Sequence, residues 1–570
     1  MGSNMKKALI RGLSVTAIGL GLVACDKPQS PAGNASGKPE AVSPAAPHDS
    51  ADLVARIHWR GKQSLAADTN AAAFLTIWDM PESVRLVNQT LDKLALAPWR
   101  MREGWTTNTP ATNYSATLIR PLLDDLVNAE CFLEVSQGTN QLSQCVLALR
   151  VGEQRSAVWQ ENLQKALEDL TGIKAVANKD QGWVLTKHDY PDRIEFERTG
   201  AWTLLACSQG ASPLLARWTA AIAAGTERSG LSSSNYWVEA ELDLDKIAQP
   251  LGSLFGGLGQ LPKLTIAATG DGESVRTSGK FKFPKALELN LDPWQMPTNL
   301  LSDPLVSFAA VRGIRPFLSL LESWHGLRAT NTPNQFFSWS LAGAPFLSYA
   351  AVPLDNSSAA LEAISEPLTN RVGPVLSSQG LGRIVRQSPT NIVWTGFPFL
   401  APSIVSLETG GGQFLKSSLW LTPPTNRPPP SELYSVVFSR TNLVLYEWEI
   451  TAPRIEAWIY LGQLVRIFSG RSQLPLEGAG NAWLKSVGGK LGNCVMAVTA
   501  EDKDTLSFTR RSSLGLSSFE LHILMDWLES PAFPKGFHSL LVPKPPIANL
   551  RPTSSTNSVI GFPVRPLPSK

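Results

Sequence analysis

Four carboxylates alternate with apolar side chains in one short stretch, and this spacing could bind a cation. The carboxylates are Glu239, Glu241, Asp243 and Asp245, separated by Ala240, Leu242 and Leu244. Successive side chains of a strand point to opposite faces, so a strand here would place the carboxylates on one face. Such oxygen ligands bind hard cations. The EF-hand spacing is absent and Lys246 can offset the charge, so the pattern favours a solvated face, with a cation site as the alternative.

Two cysteines flank a predicted β-hairpin. Strand-like segments at 132–136 and 142–149 surround the turn residues 137–140. With a three-residue loop, Cys131 and Cys145 would face each other, close enough for a disulfide. A register change of one residue would put them on opposite faces and leave two buried thiols, so both outcomes stay open. No C-x-x-C pair indicates a zinc or thioredoxin-type site.

The familiar catalytic motifs are missing from the sequence. There is no H-E-x-x-H, P-loop, G-x-S-x-G or S-x-x-K set, and no two of the six histidines have metal-ligand spacing. We therefore predict no catalytic residue, no metal and no cofactor. The pattern favours a protein that is not an enzyme, with a hydrolase of unrecognised site as an alternative.

The first 25 residues have the layout of an export signal. Lys6, Lys7 and Arg11 precede an apolar run at 13–23 that is too short to span a bilayer, and a small residue, Ala24, follows. The tetrad Leu22-Val23-Ala24-Cys25 then resembles the lipobox of bacterial lipoproteins.

That resemblance implies that Cys25 receives a diacylglyceryl thioether, that the chain is cleaved before it, and that its new amino group is acylated, for example with palmitate. Each buried methylene contributes about 0.8 kcal/mol, so three acyl chains would form a lasting membrane anchor. We expect a lipid-anchored protein of the cell envelope with a soluble body in the periplasm or outside the cell.

Composition and charge limit which other partners the chain is expected to bind. The formal net charge is +3, and the three basic residues of the signal account for all of it. A neutral body gives no reason to expect nucleic-acid binding, which depends mainly on neutralising phosphates. After residue 23 no apolar run is long enough for a membrane span.

The length of 570 residues predicts more than one domain. Proline-rich segments at both ends of the body read as a tether and an extended tail. The predicted organisation is a signal peptide at 1–24, Cys25 with a disordered tether at 25–50, a first domain at 51–290, a second at 291–540 and a tail at 541–570.

Similar patterns recur in the same order in the two halves, which predicts an internal duplication. The matched segments are 68–81 with 303–316, each read as a strand that feeds a helix, the hairpins 131–149 with 336–353, and then 203–213 with 392–402 and 264–273 with 494–503. Short strands interrupted by amphipathic helices indicate an α+β fold of two tandem, duplicated domains with mainly antiparallel sheets. Two unrelated domains or one large unit are the alternatives.

The layout is similar, loosely, to that of large bacterial envelope lipoproteins. We predict a membrane-anchored envelope lipoprotein that acts as a non-catalytic binding or structural adaptor for an envelope protein or glycan. The alternatives are a carrier of lipid or another hydrophobic ligand, which requires an apolar cavity, and the hydrolase named above.

Overall fold

The computed structural model of the protein describes most of the body of the chain. The described residues are 52–102, 114–137, 143–178, 182–187, 192–228, 235–248, 261–318, 332–343, 347–378, 380–397, 400–420, 427–468, 478–530 and 533–534. The predicted signal peptide, Cys25, the tether and the tail lie outside them.

The strands of the first half lie between residues 53 and 282. They are β1 (Leu53–Trp59), β2 (Cys131–Gln137), β3 (Ser143–Arg150), β4 (Val176–Asn178), β5 (Gly182–Thr186), β6 (Arg193–Thr199), β7 (Trp202–Ser208), β8 (Val238–Asp243), β9 (Lys263–Gly270) and β10 (Val275–Lys282). Those of the second half are β11 (Leu305–Arg312), β12 (Gln335–Leu341), β13 (Ser348–Pro353), β14 (Arg383–Ser388), β15 (Asn391–Thr395), β16 (Ser403–Thr409), β17 (Gly412–Ser418), β18 (Leu443–Ile450), β19 (Asn493–Ala500) and β20 (Thr505–Ser512).

Helices separate the strands in both halves. They are α1 (Lys62–Ala66), α2 (Ala72–Trp78), α3 (Pro81–Arg102), α4 (Tyr114–Asn128), α5 (Glu153–Thr171), α6 (Pro213–Ala223), α7 (Leu244–Ala248), α8 (Arg315–Leu318), α9 (Ser357–Pro367), α10 (Gly373–Ser378), α11 (Glu432–Ser439), α12 (Thr451–Phe468), α13 (Ala479–Gly488) and α14 (Ser518–Glu529). The predicted α+β class is confirmed. Among the described residues, no helix combines the length and apolar character needed to cross a bilayer.

The described strands form one continuous sheet in which every pair is antiparallel. From its outer edge to the centre, the first half runs β4-β5-β6-β7-β3-β2-β1-β8-β9-β10. The second half runs β14-β15-β16-β17-β13-β12-β11-β18-β19-β20. The two halves therefore share one strand order, and their common ancestry stays a prediction.

The halves meet where β10 pairs with β20. Val275 lies opposite Ser512, and Lys282 lies opposite Thr505, so each strand begins where the other ends. Each of these strands belongs to a hairpin of two eight-residue strands, β9–β10 with turn 271–274 and β19–β20 with turn 501–504. The registers of the two hairpins differ by one residue, since Gly270 pairs with Val275 whereas Ala500 pairs with Leu506. We therefore match Lys263 of β9 with Asn493 of β19 and follow the strand pairs outward from there, which defines the matched positions used below.

Helices cover parts of both faces of the sheet. We call the face that carries Arg56 and Glu239 the front and the opposite face the back. On the front, α6 covers the first half through Trp218, whose ring lies 5.2 Å from that of Phe132, and α11 covers the second half through buried Val437. On the back of the first half, α4 and α5 pack on β3 and β7.

A helical cluster also crosses between the halves. The side chains of Ile77 and Leu86 pack with those of Trp483 and Val487 from α13. The indole Nε1 of Trp483 donates a hydrogen bond of 2.7 Å to the Ser83 hydroxyl. The predicted domains 51–290 and 291–540 thus share a sheet and a core, and the boundary itself stays a prediction.

Two predicted elements of the repeat are wrong. The run Ala72–Trp78 forms helix α2 rather than a strand, because a short apolar run fits a helix as well as a strand. The strand matched with β11 is β1 instead. Segment 392–402 does not match 203–213, because β15 takes the position of β5 whereas β7 takes that of β17.

The hairpin at 131–149 is confirmed, and its register does not fit the Cys131–Cys145 disulfide, which the sequence left as one of two outcomes. Cys131 lies opposite Leu149, and Cys145 lies opposite Val135, so the two thiols are four positions apart along the ladder. The predicted three-residue loop was too short, since Gln137 and Ser143 form the last pair of the hairpin. Both cysteines are free thiols, and the neighbour directly opposite Cys145 is Cys207 of β7.

Candidate functional site

A trough of about 410 Å³ crosses the front of the sheet between the regions covered by α6 and α11. Its floor consists of β1, β8, β9 and β10 from the first half and β20 from the second. We call it the central trough. Its polar lining residues are Arg56, His58, Tyr236, Glu239, Glu241, Thr265, Ser278, Lys280, Glu501, Ser507 and Thr509.

Strand β1 supplies basic side chains to the trough. Carboxylates on or next to the neighbouring strand β2 hold them in place. The Arg56 guanidinium donates two hydrogen bonds of 3.2 Å to the buried carboxylate of Glu134. Arg217 of α6 pairs with the same carboxylate. This network fixes the Arg56 side chain at the edge of the trough.

His58 is held in the same way. It is buried and stacked on Phe132, and its Nε2 lies 3.1 Å from Oε1 of Glu130. Arg228 donates to both oxygens of Glu130, at 2.7 and 2.6 Å. Burial opposes ionisation of Glu130, but the hydrogen bonds from His58 and Arg228 lower its pKa to about 2.

Strand β8 places carboxylates on the other side of β1. Glu239 lies directly opposite His58, and Glu241 lies directly opposite Arg56. Both line the trough, as the alternation predicted for one face of a strand. Basic groups of β1 therefore lie between acidic groups of β2 and β8.

The predicted four-carboxylate face is only partly formed. Asp243 ends β8 and lies 3.7 Å from the Lys246 ammonium, whereas Asp245 belongs to helix α7 and accepts a hydrogen bond of 3.4 Å from the Leu261 amide. The described residues contain no group of three or more His, Cys, Asp or Glu side chains that could hold a metal ion. Glu239 is buried and the other three carboxylates are half-buried, so they do not form the solvated face that the sequence favours, and the cation site stays a prediction.

Glu241 differs from its neighbours in the trough. It is half-buried, and it makes no hydrogen bond or ion pair with any described residue. Hydroxyl groups of Thr265, Ser278 and Thr509 line the same floor. The Lys280 ammonium, 2.8 Å from Glu501, closes the far side. The trough thus offers hydrogen-bond acceptors and donors close together.

The trough lacks the arrangement of a hydroxyl nucleophile and its base. Glu130 orients His58, but within the described residues no Ser or Thr hydroxyl bonds to the ring, and its Nδ1 has no hydrogen-bond partner there. Acyl transfer by a Ser–His pair needs that contact.

Sequence reasoning missed Arg56 and His58 as residues of this site. The segment Leu53–Trp59 does carry a signal, since Arg56 and His58 alternate with Ala55 and Ile57. The pairing of β1 with β8, however, joins residues almost two hundred positions apart, which local patterns do not predict. Comparisons of the chain with protein-family models, characterised proteins and solved structures gave no match.

Proposed function

We propose that the chain is a lipid-anchored lipoprotein of the bacterial envelope whose body binds an envelope glycan in the central trough without catalysing a reaction. The half-buried Glu241 carboxylate, which has no partner among the described residues, carries this proposal. A buried or half-buried carboxylate gains most from a ligand that donates hydrogen bonds to it.

The chemistry of the lining indicates the ligand class. Carboxylates, hydroxyls and an ammonium group line the floor, and sugar hydroxyls both donate and accept hydrogen bonds. A carrier of lipid requires an enclosed apolar cavity instead, whereas charged side chains line this trough beside its apolar surface, so the trough favours the glycan over that alternative.

Retention on isolated peptidoglycan sacculi tests the glycan. The full-length protein in detergent should bind the sacculi, and Glu241→Gln should weaken binding about tenfold, which corresponds to about 1.4 kcal/mol. Glu153→Gln is the matched control, because the Glu153 side chain is 91% exposed at the start of α5. Equal binding of both variants would exclude the central trough as the glycan site. A protein that co-purifies with the chain in place of the glycan would favour an adaptor for an envelope protein.

Labelling with a palmitate analogue tests the anchor. The protein should incorporate the label and remain in the membrane fraction, and Cys25→Ser should lose both properties. Cys131→Ser is the control that keeps the label. Label retained in Cys25→Ser would contradict the lipoprotein assignment and leave the binding experiment unaffected.

A further inference from the structure

A second cavity lies on the back of the second half, between the sheet and helix α12. It has a volume of about 360 Å³. Four serine hydroxyls from adjacent strands line one wall, namely Ser307, Ser338, Ser340 and Ser348. Trp458 of α12 and Phe519 of α14 form an aromatic wall, with ring centroids 4.7 Å apart. We call this cavity the serine pocket.

The pocket contains a guanidinium with unused hydrogen-bonding capacity. Arg454 donates a hydrogen bond of 2.8 Å to the Ser340 hydroxyl, and its guanidinium lies 5.0 Å from the centroid of the Trp458 ring. Its Nε is buried and has no hydrogen-bond partner among the described residues. A donor left in this state favours a ligand that can accept from it.

Two carboxylates line the same pocket, and only one is engaged by the protein. Glu449 is buried and accepts hydrogen bonds from the amide and the hydroxyl of Ser518, at 2.5 and 2.6 Å. Glu447 is half-buried and makes no hydrogen bond or ion pair with a described residue. Burial, reinforced by the nearby Glu449, raises the pKa of Glu447, although the charges of Arg510 and Arg454 act in the opposite direction.

The matched region of the first half shows that the fold does not require these polar groups. There, Val54, Ala55 and Val135 form an apolar cluster with Cys145, Leu242 and Ile247. The matched pairs are Ala55 with Ser307, Val135 with Ser340, Cys145 with Ser348, Leu242 with Glu449, and Ile247 with Arg454. Glu447 likewise matches Ala240. An apolar core is therefore a workable solution at this position, and the second half has a polar cavity instead.

From this geometry we infer that the serine pocket binds a small zwitterion of the amino-acid type. The ligand carboxylate accepts from the Arg454 guanidinium, whose planar fork suits a carboxylate. The ligand ammonium donates to Glu447 and to the serine hydroxyls, and its side chain contacts Trp458 and Phe519. This site lies on the opposite face of the sheet from the central trough, so its occupancy does not depend on the function proposed for that trough.

Thermal unfolding of the full-length protein with single common L-amino acids at about 10 mM tests the inference. At least one amino acid should raise Tm by about 2 °C or more, because a ligand that binds only the folded state stabilises it. The same compound with an acetylated amine and an amidated carboxyl should have no effect, since it lacks both charges. Failure of every amino acid, or an equal shift with the neutral compound, would overturn the inference.

Variants locate the site. Glu447→Gln and Arg454→Gln should each abolish the ligand-induced shift, whereas Glu432→Gln, an exposed acidic residue on α11, should retain it. The Tm of each variant without ligand shows whether it folds, and titration calorimetry with the responding amino acid provides a second readout for a variant whose Tm changes. A shift that persists in both pocket variants would place the ligand elsewhere and contradict the assignment.

Discussion

Strands β8 and β18 occupy matched positions, but they carry their carboxylates on opposite faces of the sheet. On the front, Glu239 and Glu241 in β8 match Tyr446 and Trp448 in β18, which lie in the core under α11. On the back, Ala240 and Leu242 match Glu447 and Glu449. The same backbone pairing is thus compatible with polar side chains on either face of the sheet. Whether a helix covers that face decides whether apolar or polar side chains stabilise the fold there.

The largest expected difference between the halves concerns two matched arginines. Arg312 is buried at the end of β11 and donates to the carbonyls of Leu443 and Asp292, at 2.7 and 2.8 Å. Arg60, at the matched position after β1, is partly exposed and lies 3.7 Å from Asp68. Arg312→Ala should cost about 3–5 kcal/mol because buried carbonyls lose their donor, and Arg60→Ala should cost less than about 1 kcal/mol. Urea unfolding measures both values, and equal losses would contradict the asymmetry.

A disulfide between Cys145 and Cys207 would distinguish the two halves further, because the matched positions of the second half carry no cysteine. Cys145 and Cys207 lie directly opposite on antiparallel strands, where Cα atoms are about 4.5–5.5 Å apart and within disulfide range. Ser348 and Leu419 take the matched positions in the second half. Refolding with oxidised glutathione, which is reduced to glutathione as the bond forms, should link the pair and add about 2–4 kcal/mol of stability.

Peptide mapping without reductant identifies this bond. Cys131→Ser should form it as the wild-type chain does, and Cys145→Ser should not. A link that involves Cys131 would contradict the register of the β2–β3 hairpin.

Acid should weaken the first half more than the second. Glu130 matches Gln335, a neutral amide that donates a hydrogen bond of 2.8 Å to the Pro293 carbonyl. The folded pKa of Glu130, about 2, is below the ordinary value of 4.5, so its stabilisation is present above pH 4.5 and is lost as the pH falls to about 2.

The Glu130→Gln variant tests that difference. It should lose about 1–3 kcal/mol at neutral pH, and its deficit relative to the wild type should shrink between pH 4.5 and about 2. Denaturant unfolding at several pH values provides the measurement, with Glu153→Gln as the control. A deficit that stays constant over this pH range would show that Glu130 contributes through packing alone.

The smallest expected effect is at the join of the halves. The ion pairs Lys280–Glu501, which is exposed, and Arg511–Asp271, which is half-buried, connect each hairpin turn to the last strand of the other half. Lys280→Ala should cost less than about 1 kcal/mol, because exposed ion pairs are screened and the β10–β20 ladder remains. A loss above about 2 kcal/mol in urea unfolding would mean that these charges hold the halves together.

Local patterns predicted the hairpins and the start of α3, but not the sites. Pro81 begins α3 as expected for proline at the first helical position, and Gly172 ends α5 in the left-handed conformation. Alternation predicted that Glu239 and Glu241 share a face. The sequence could not decide between a Cys131–Cys145 disulfide and two free thiols, because register depends on a loop length that the sequence leaves open. Both proposed sites depend on pairings between distant strands and on which helix covers each face, and neither follows from local periodicity.

The antiparallel join of β10 and β20 is the contact expected between two copies related by a twofold axis. In a symmetric dimer of identical chains, every substitution appears twice, so a polar group useful on one copy is imposed on the other. One chain that contains both halves is free of that constraint. It keeps a trough on one face and a pocket on the other, each present once per molecule, and if both proposed sites are occupied it would hold two different ligands at fixed stoichiometry.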